Sequence, residues 1–263
     1  MATVRVNLRG VPMRFTDTGG PGPALVFLHG LFNTADMWRG QLERFSEHRR
    51  VVTYDLRGHG GSGIDNRPYT MELLAEDLEA LMDHLHLGPA VVCGFSAGGC
   101  VAQALAVRRP DRFAGLVLSD AIENGLHGPA GAVARGALRL TSLLPRRGIV
   151  ASTTLATLPM RPDVRRYFQA QALANLRGLP KAKILEISQA VLTFRRRDLS
   201  DFPAPVAVLV GEREPALMRR EAERLARGIP RATLELIPGS QHGPNLENPA
   251  AFDAAVEGLL RRV

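Results

Sequence analysis

Three residue types that together can transfer an acyl group occur in this chain in a workable order: a serine between glycines, an acid, and a late histidine. Gly94-Phe95-Ser96-Ala97-Gly98 follows the apolar run Ala90-Val91-Val92-Cys93 and precedes a helical run, Cys100 to Arg108. Small residues on both sides permit a sharp, strained strand-to-helix turn that lifts a serine hydroxyl above a sheet. The N–H of Ala97 then lies at a helix N-terminus, where free donors and the helix dipole favour developing negative charge. A serine hydroxyl is a weak nucleophile until a base takes its proton. His242, in Gly239-Ser240-Gln241-His242-Gly243, sits in a late loop suited to that role. Glu214, in Gly211-Glu212-Arg213-Glu214-Pro215, follows the penultimate strand-like run and completes the order Ser, acid, His. Asp120, just after the sixth strand-like run, is the rival acid, and Glu212 is a lesser alternative. No metal or organic cofactor is needed for this chemistry.

The other reactive residue types have plainer readings. His29 and His59 are expected to brace their loops. His84 and His86 are two apart near a helix end, a poor metal pair, and are expected to be solvated there. His48 and His127 have no supporting context. Asp55 is expected to bond backbone in its own loop. Met37 and Trp38 either line a pocket or pack the first helix. Cys93 and Cys100, with no CxxC pattern, indicate neither a disulfide framework nor a zinc site and read as packing residues.

The elements that must position these residues alternate. Thr3 to Leu8 and Pro12 to Thr16 read as an opening pair of strands. Ala24 to Leu28, Val51 to Tyr54, Ala90 to Cys93, Leu116 to Leu118, Val206 to Val210 and Ala232 to Ile237 are apolar or β-rich runs. Met71 to Leu85 is the clearest helix, with Leu74, Leu78, Leu81 and Leu85 on one stripe and acids on the other face. Ala216 to Arg227 and Pro249 to Arg262 read as two more. Strands alternating with helices predict an α/β fold with a mostly parallel sheet covered on both sides. From Ile122 to Ser200 no strand is evident, only Ala/Leu/Arg-rich helical pieces broken by Gly and Pro. The expected organisation is a core domain, residues 1–121 and 201–263, with a helical insertion at 122–200.

With these motifs in place the chain resembles the α/β-hydrolase superfamily. His29-Gly30-Leu31-Phe32 is similar to the family's oxyanion-hole loop, which implies a second oxyanion donor on the N–H of Leu31. Asp55-Leu56-Arg57-Gly58-His59-Gly60-Gly61-Ser62 resembles its loop after the fourth strand, and Gly239 to Pro249 its histidine loop. Most relatives carry Asp where this chain has Glu214, although a Glu followed by Pro resembles some members, including an acyl-homoserine-lactone-hydrolysing branch. The resemblance implies an eight-stranded, mostly parallel sheet, with the insertion as a helical cap. It also implies a serine hydrolase that cleaves esters, lactones or thioesters through an acyl-enzyme. The alternative is a non-hydrolytic use of the same fold, as a cofactor-free lyase, a cyclase or a ligand receptor. Phe32, Phe95, Trp38, Tyr167 and Phe168 are the expected substrate-binding residues.

Length and composition are consistent with this. The chain of 263 residues is 45% hydrophobic and 22% charged, as in a globular protein. Its formal charge is +7, and 31 of its 33 basic residues are Arg. Residues 122–200 hold 13 Lys plus Arg against 4 Asp plus Glu, while the remainder holds 20 against 22. The basic excess therefore belongs to the insertion, which argues against a nucleic-acid surface on the core. It leaves two readings of the insertion: solvated arginines, or attraction of an anionic or carrier-linked acyl group by Arg161, Arg165, Arg166 and Arg195 to Arg197. Arg5, Arg9 and Pro12 interrupt what would have to be an apolar signal stretch, and no run reaches spanning length. The expected setting is cytoplasmic, without a membrane, as a monomer or homodimer acting on a small-molecule acyl substrate.

Overall fold

Eight strands pair into one sheet in a computed structural model. It describes residues 3–125, 128–143 and 160–263. The strands are β1 (Thr3–Leu8), β2 (Val11–Asp17), β3 (Leu25–Leu28), β4 (Val51–Tyr54), β5 (Ala90–Phe95), β6 (Phe113–Ser119), β7 (Val206–Gly211) and β8 (Ala232–Ile237). Their spatial order is β1-β2-β4-β3-β5-β6-β7-β8; β2 runs antiparallel to both its neighbours, β1 and β4, and every other pairing is parallel.

The central strands are apolar at every position because both faces are covered, and their side chains alternate between two cores. Leu25 and Phe27 of β3, Val91 and Cys93 of β5, and Ala207 and Leu209 of β7 pack on one face with Trp38, Phe45, Phe252 and Val256. Val26 and Leu28, Ala90 and Val92, and Val206 and Val208 pack on the other with Leu74, Leu78, Val101 and Leu105. The first face is covered by α1 (Arg39–Ser46) and the closing helix α8 (Pro249–Leu260). The second is covered by α2 (Met71–His84), α3 (Ala97–Arg108) and α7 (Ala216–Arg227). Thr70 caps α2 by accepting the Leu73 N–H. Cys93 and Cys100 are free, buried, and divided between the two cores, so they cannot meet.

Between β6 and β7 the described residues form only helices: α4 (Gly128–Leu143), α5 (Pro162–Gly178) and α6 (Lys181–Leu192). His127 and residues 144–159 of the expected cap lie outside the described residues. Several boundaries differ from expectation. β6 starts at Phe113, whose ring packs edge-on against Phe202 at 5.5 Å. α3 starts at Ala97, with two glycines in its first turn. The turn at Ala35–Trp38 leading into α1 carries no strong periodic signal.

Candidate active site

The chain leaves β3 to form β4 on one side, then returns to place β5 on the other side of β3. Such a reversal opens a crevice at the carboxyl ends of the two strands. The loops that begin at His29 and at Ser96 face each other across it, since Leu28 pairs with Gly94.

Ser96 stands at φ 50°, ψ −115°, a backbone conformation an L-residue adopts only under constraint. The constraint is close packing of backbone around it. A Cβ on Gly94 would lie 2.5 Å from the Gly98 carbonyl oxygen, and a Cβ on Gly98 would lie 2.5 Å from the Leu28 oxygen. A Cβ on Gly30 would meet the buried Phe95 ring at 2.8 Å. Both glycines of the motif are therefore required by contact. The Ser96 N–H is tied to the Ser119 carbonyl at 2.9 Å, which anchors the turn to β6.

The facing loop is braced from below by two buried side chains. His29 Nε2 accepts the Leu56 N–H at 2.9 Å, so the proton sits on Nδ1, which donates to the Gly30 carbonyl at 2.8 Å. Burial lowers the His29 pKa and keeps the ring neutral. Asp55 accepts from the N–H groups of Ala35 and Gly61 and from Arg14, each at 2.8 Å, joining the two loops. Asn33 N–H closes a turn onto the Gly30 carbonyl at 3.1 Å, with Leu31 and Phe32 at its corners.

His242 Nδ1 lies 2.6 Å from Oε1 of Glu214. The imidazole side chain is 28% exposed and the carboxylate 2%. Burial disfavours the charged imidazolium, but the bond and charge of Glu214, with the charges of Asp120 and Glu247, outweigh it and raise the pKa. Asp120 stands beside this pair, with ligand atoms of Asp120, Glu214 and His242 all within 4.8 Å of one another. It is buried at φ 42°, and its Oδ1 accepts the Gly211 N–H at 3.0 Å. Burial, opposed by His242 and reinforced by Glu214, pushes its carboxyl up to about 7. These three are the described residues whose grouping could suit a metal. Two of them are already directed at each other, as a hydrogen-bonded acid and base.

Ser96 and His242 line one cavity of about 230 Å³ with Leu31, Phe32, Asn33, Phe95, Met160, Phe168, Gln169 and Ala172. A larger hollow of about 520 Å³, between the start of α2 and α6, holds acids and arginines but no nucleophile beside a base. Size alone does not locate the site.

The α/β hydrolase fold family matches residues 23–249. The chain belongs to the α/β-hydrolase fold family. It is 30% identical to 3-oxoadipate enol-lactonase 2 of Acinetobacter baylyi over 91% of this chain and 89% of that protein. Among solved structures, it superposes on a thermophilic esterase from Thermogutta terrifontis with a TM-score of 0.86 at 27% identity, covering 99% of this chain and 98% of that one. The enol-lactonase from Burkholderia xenovorans gives 0.83 at 26%, covering 98% of this chain and 100% of that one.

In this α/β hydrolase, the structure gathers Ser96, His242, Glu214, Leu31, Phe32, Phe95 and Phe168 at the crevice, with Asp120 beside Glu214 and Ala97 opening α3. Two expected pocket residues do not line it. Trp38 is fully buried, stacked on Phe27 at 4.7 Å and against Phe252 at 5.8 Å, because the turn before α1 aims it into the core. Tyr167 precedes Phe168 on α5 and is rotated about 100° from it, so its ring packs edge-on against Phe168 instead of facing the cavity. Met160, Gln169 and Ala172 line the cavity without having been singled out, and nothing in their types announces it. Glu247 was missed as well. It accepts the Arg161 N–H at 3.0 Å, and its carbonyl accepts from the Arg161 guanidinium at 2.9 Å, fastening the start of α5 to the histidine loop.

Proposed function

We propose that this chain is a serine hydrolase that cleaves a carboxylic ester or lactone through an acyl-enzyme. Ser96 Oγ attacks the carbonyl carbon as His242 Nε2 takes its proton. Glu214 holds the Nδ1–H tautomer and stabilises the imidazolium. The N–H groups of Leu31 and Ala97 receive the oxyanion. Collapse of the tetrahedral intermediate breaks the bond to the leaving oxygen, which takes the proton from His242. Water, deprotonated by the same histidine, then attacks the acyl carbon and regenerates Ser96. The α4–α6 segment acts as a cap over the cavity.

The observation that carries this reading is the 2.6 Å contact between His242 Nδ1 and Glu214 next to a cavity that Ser96 and His242 share. Binding alone needs no oriented base beside a strained serine, which disfavours a receptor role. The family and the lactonase and esterase relatives support the bond class. The small, mostly apolar cavity favours acyl groups of modest size.

Ser96→Ala is expected to abolish turnover of nitrophenyl esters and simple lactones and to prevent labelling by a fluorophosphonate, with the circular dichroism spectrum unchanged. Turnover persisting in that variant, or wild type that resists the fluorophosphonate while folded, contradicts the reading.

A further inference from the structure

The braces on the loop after β3 are unevenly distributed. The core holds its two ends, at His29 through Leu56 and at Ala35 through Asp55. Between those ends, the loop is held by α5. The buried Asn175 donates from Nδ2 to the Phe32 carbonyl at 2.9 Å and to the Gln171 carbonyl at 2.9 Å, with the Asn33 carbonyl further off at 3.4 Å. Its Oδ1 accepts the Gly60 N–H at 2.7 Å, in the loop after β4. One turn earlier, Gln171 Oε1 accepts from the Thr34 hydroxyl at 3.2 Å.

Phe32 is the residue that most needs such support. Its φ of 56° is left-handed, a conformation a non-glycine residue keeps only where neighbouring contacts hold it. Its carbonyl fixes the peptide plane that follows Leu31 and Phe32 in the turn closed by Asn33. Rotation of this turn would re-aim the Leu31 N–H. The same helix presents Phe168 and Ala172 to the cavity, so one rigid element meets the substrate and holds the loop.

We infer that Asn175 is a positioning residue through which the seated cap helix α5 sets the working shape of the oxyanion loop. With α5 in place, Phe32 stays left-handed and the Leu31 N–H points at the reacting centre. With α5 lifted, the middle of the loop loses the tethers from Asn175 and Gln171 and the hole is not assembled. Catalysis is thereby confined to the closed cap. The inference rests on the oxyanion role proposed above for Leu31.

Asn175→Asp separates the two halves of the contact: it keeps an acceptor for Gly60 and removes the donor to Phe32. Asn175→Ala removes both and serves if the buried charge prevents folding. Both tetrahedral intermediates use the oxyanion hole, so kcat for a nitrophenyl ester is expected to fall about 10- to 100-fold with KM within about twofold. Affinity for a trifluoromethyl ketone, which forms a tetrahedral adduct on serine, should fall by the same factor as kcat. A purely structural asparagine would lower the folded fraction and the melting temperature without this parallel loss per folded molecule. If kcat and ketone affinity stay within about twofold of wild type in a folded variant while Ser96→Ala is inactive, the inference fails and the hydrolase reading stands. Turnover that survives Ser96→Ala overturns both.

Discussion

Two carboxyl groups compete for one imidazole, and their surroundings divide the work. Glu214 is in contact with His242 Nδ1, whereas Asp120 spends Oδ1 on the Gly211 N–H and is held toward its neutral form by burial. Glu214→Gln is therefore expected to lower kcat by about 10²- to 10⁴-fold, and Asp120→Asn by less than about tenfold. The pH profile gives an independent reading of the same pair. A base must be neutral, so kcat/KM rises as pH climbs through the folded pKa of His242, which lies above the ordinary 6.5 despite burial because Glu214 opposes that effect. Removing the Glu214 charge should move this acid limb to lower pH. A loss confined to Asp120→Asn, or a limb that stays in place in Glu214→Gln, would transfer the role to Asp120. That Ser96 with its glycines, His242 and Glu214 would meet at one crevice was legible because each stands at a fixed offset from a strand end. Asn175 and Glu247 were not, because an asparagine or a glutamate on a helix carries no mark of the loop it will meet in space. Asp77 shows the same limit. It belongs to an acid-rich helix face, yet it is buried in a bidentate pair with Arg57 at 2.6 and 2.7 Å.

The β5-turn-α3 unit shows where element-level reading works and where propensity misleads. Two glycines at the start of a helix argue against helix by propensity, yet α3 begins at Ala97, and neither glycine has room for a side chain: Gly98 faces the end of β3 and Gly99 faces Ala121. A methyl group on Gly98 would press on two backbone oxygens, at 2.5 Å from Leu28 and 2.7 Å from His29, which cannot give way as a side-chain tip can. Gly98→Ala should lower stability by about 1–3 kcal/mol and reduce kcat, since α3 must shift and the Ala97 N–H moves with it. Gly136, inside α4, has nothing within 4 Å of an added Cβ. Gly136→Ala should raise stability by about 0.4–1 kcal/mol, as expected for an unhindered helical glycine. Paired thermal melts check both signs. Equal small effects at the two positions would mean that the turn tolerates a side chain and that the glycines are not set by contact. The runs of β3, β5 and β7 were readable because burial on both faces makes them continuously apolar. The turn before α1 was not, since it is specified by tertiary anchors such as Asp55.

At the scale of the whole molecule, several basic residues of the 122–200 segment are paired, some across its seam with the rest of the chain and some within the segment itself. Arg197 pairs with Glu72 and lies over Phe194, Arg161 bonds Glu247 and Asp163, and Lys183 donates to the Arg67 carbonyl. Arg196 pairs with Glu123 at 3.4 Å, and Arg165 and Arg177 also have partners. Among the described residues lining the cavity there is no Lys or Arg. These placements speak against an anion-binding site at the cavity. Burying a carboxylate beside Phe32, Phe95, Met160 and Phe168 without a cation would cost several kcal/mol. A neutral straight-chain nitrophenyl ester should therefore be turned over at least about tenfold more efficiently than its ω-carboxylate analogue of equal length. Surface attraction to the basic segment is screened over about 10 Å at 0.1 M ionic strength, so it can alter encounter but not the fit inside the cavity. The ratio of the two kcat/KM values should accordingly change by less than about threefold between roughly 0.05 and 0.5 M salt. An ω-carboxylate ester preferred at low salt, with the preference lost at high salt, would show instead that the arginines recruit an anionic acyl group.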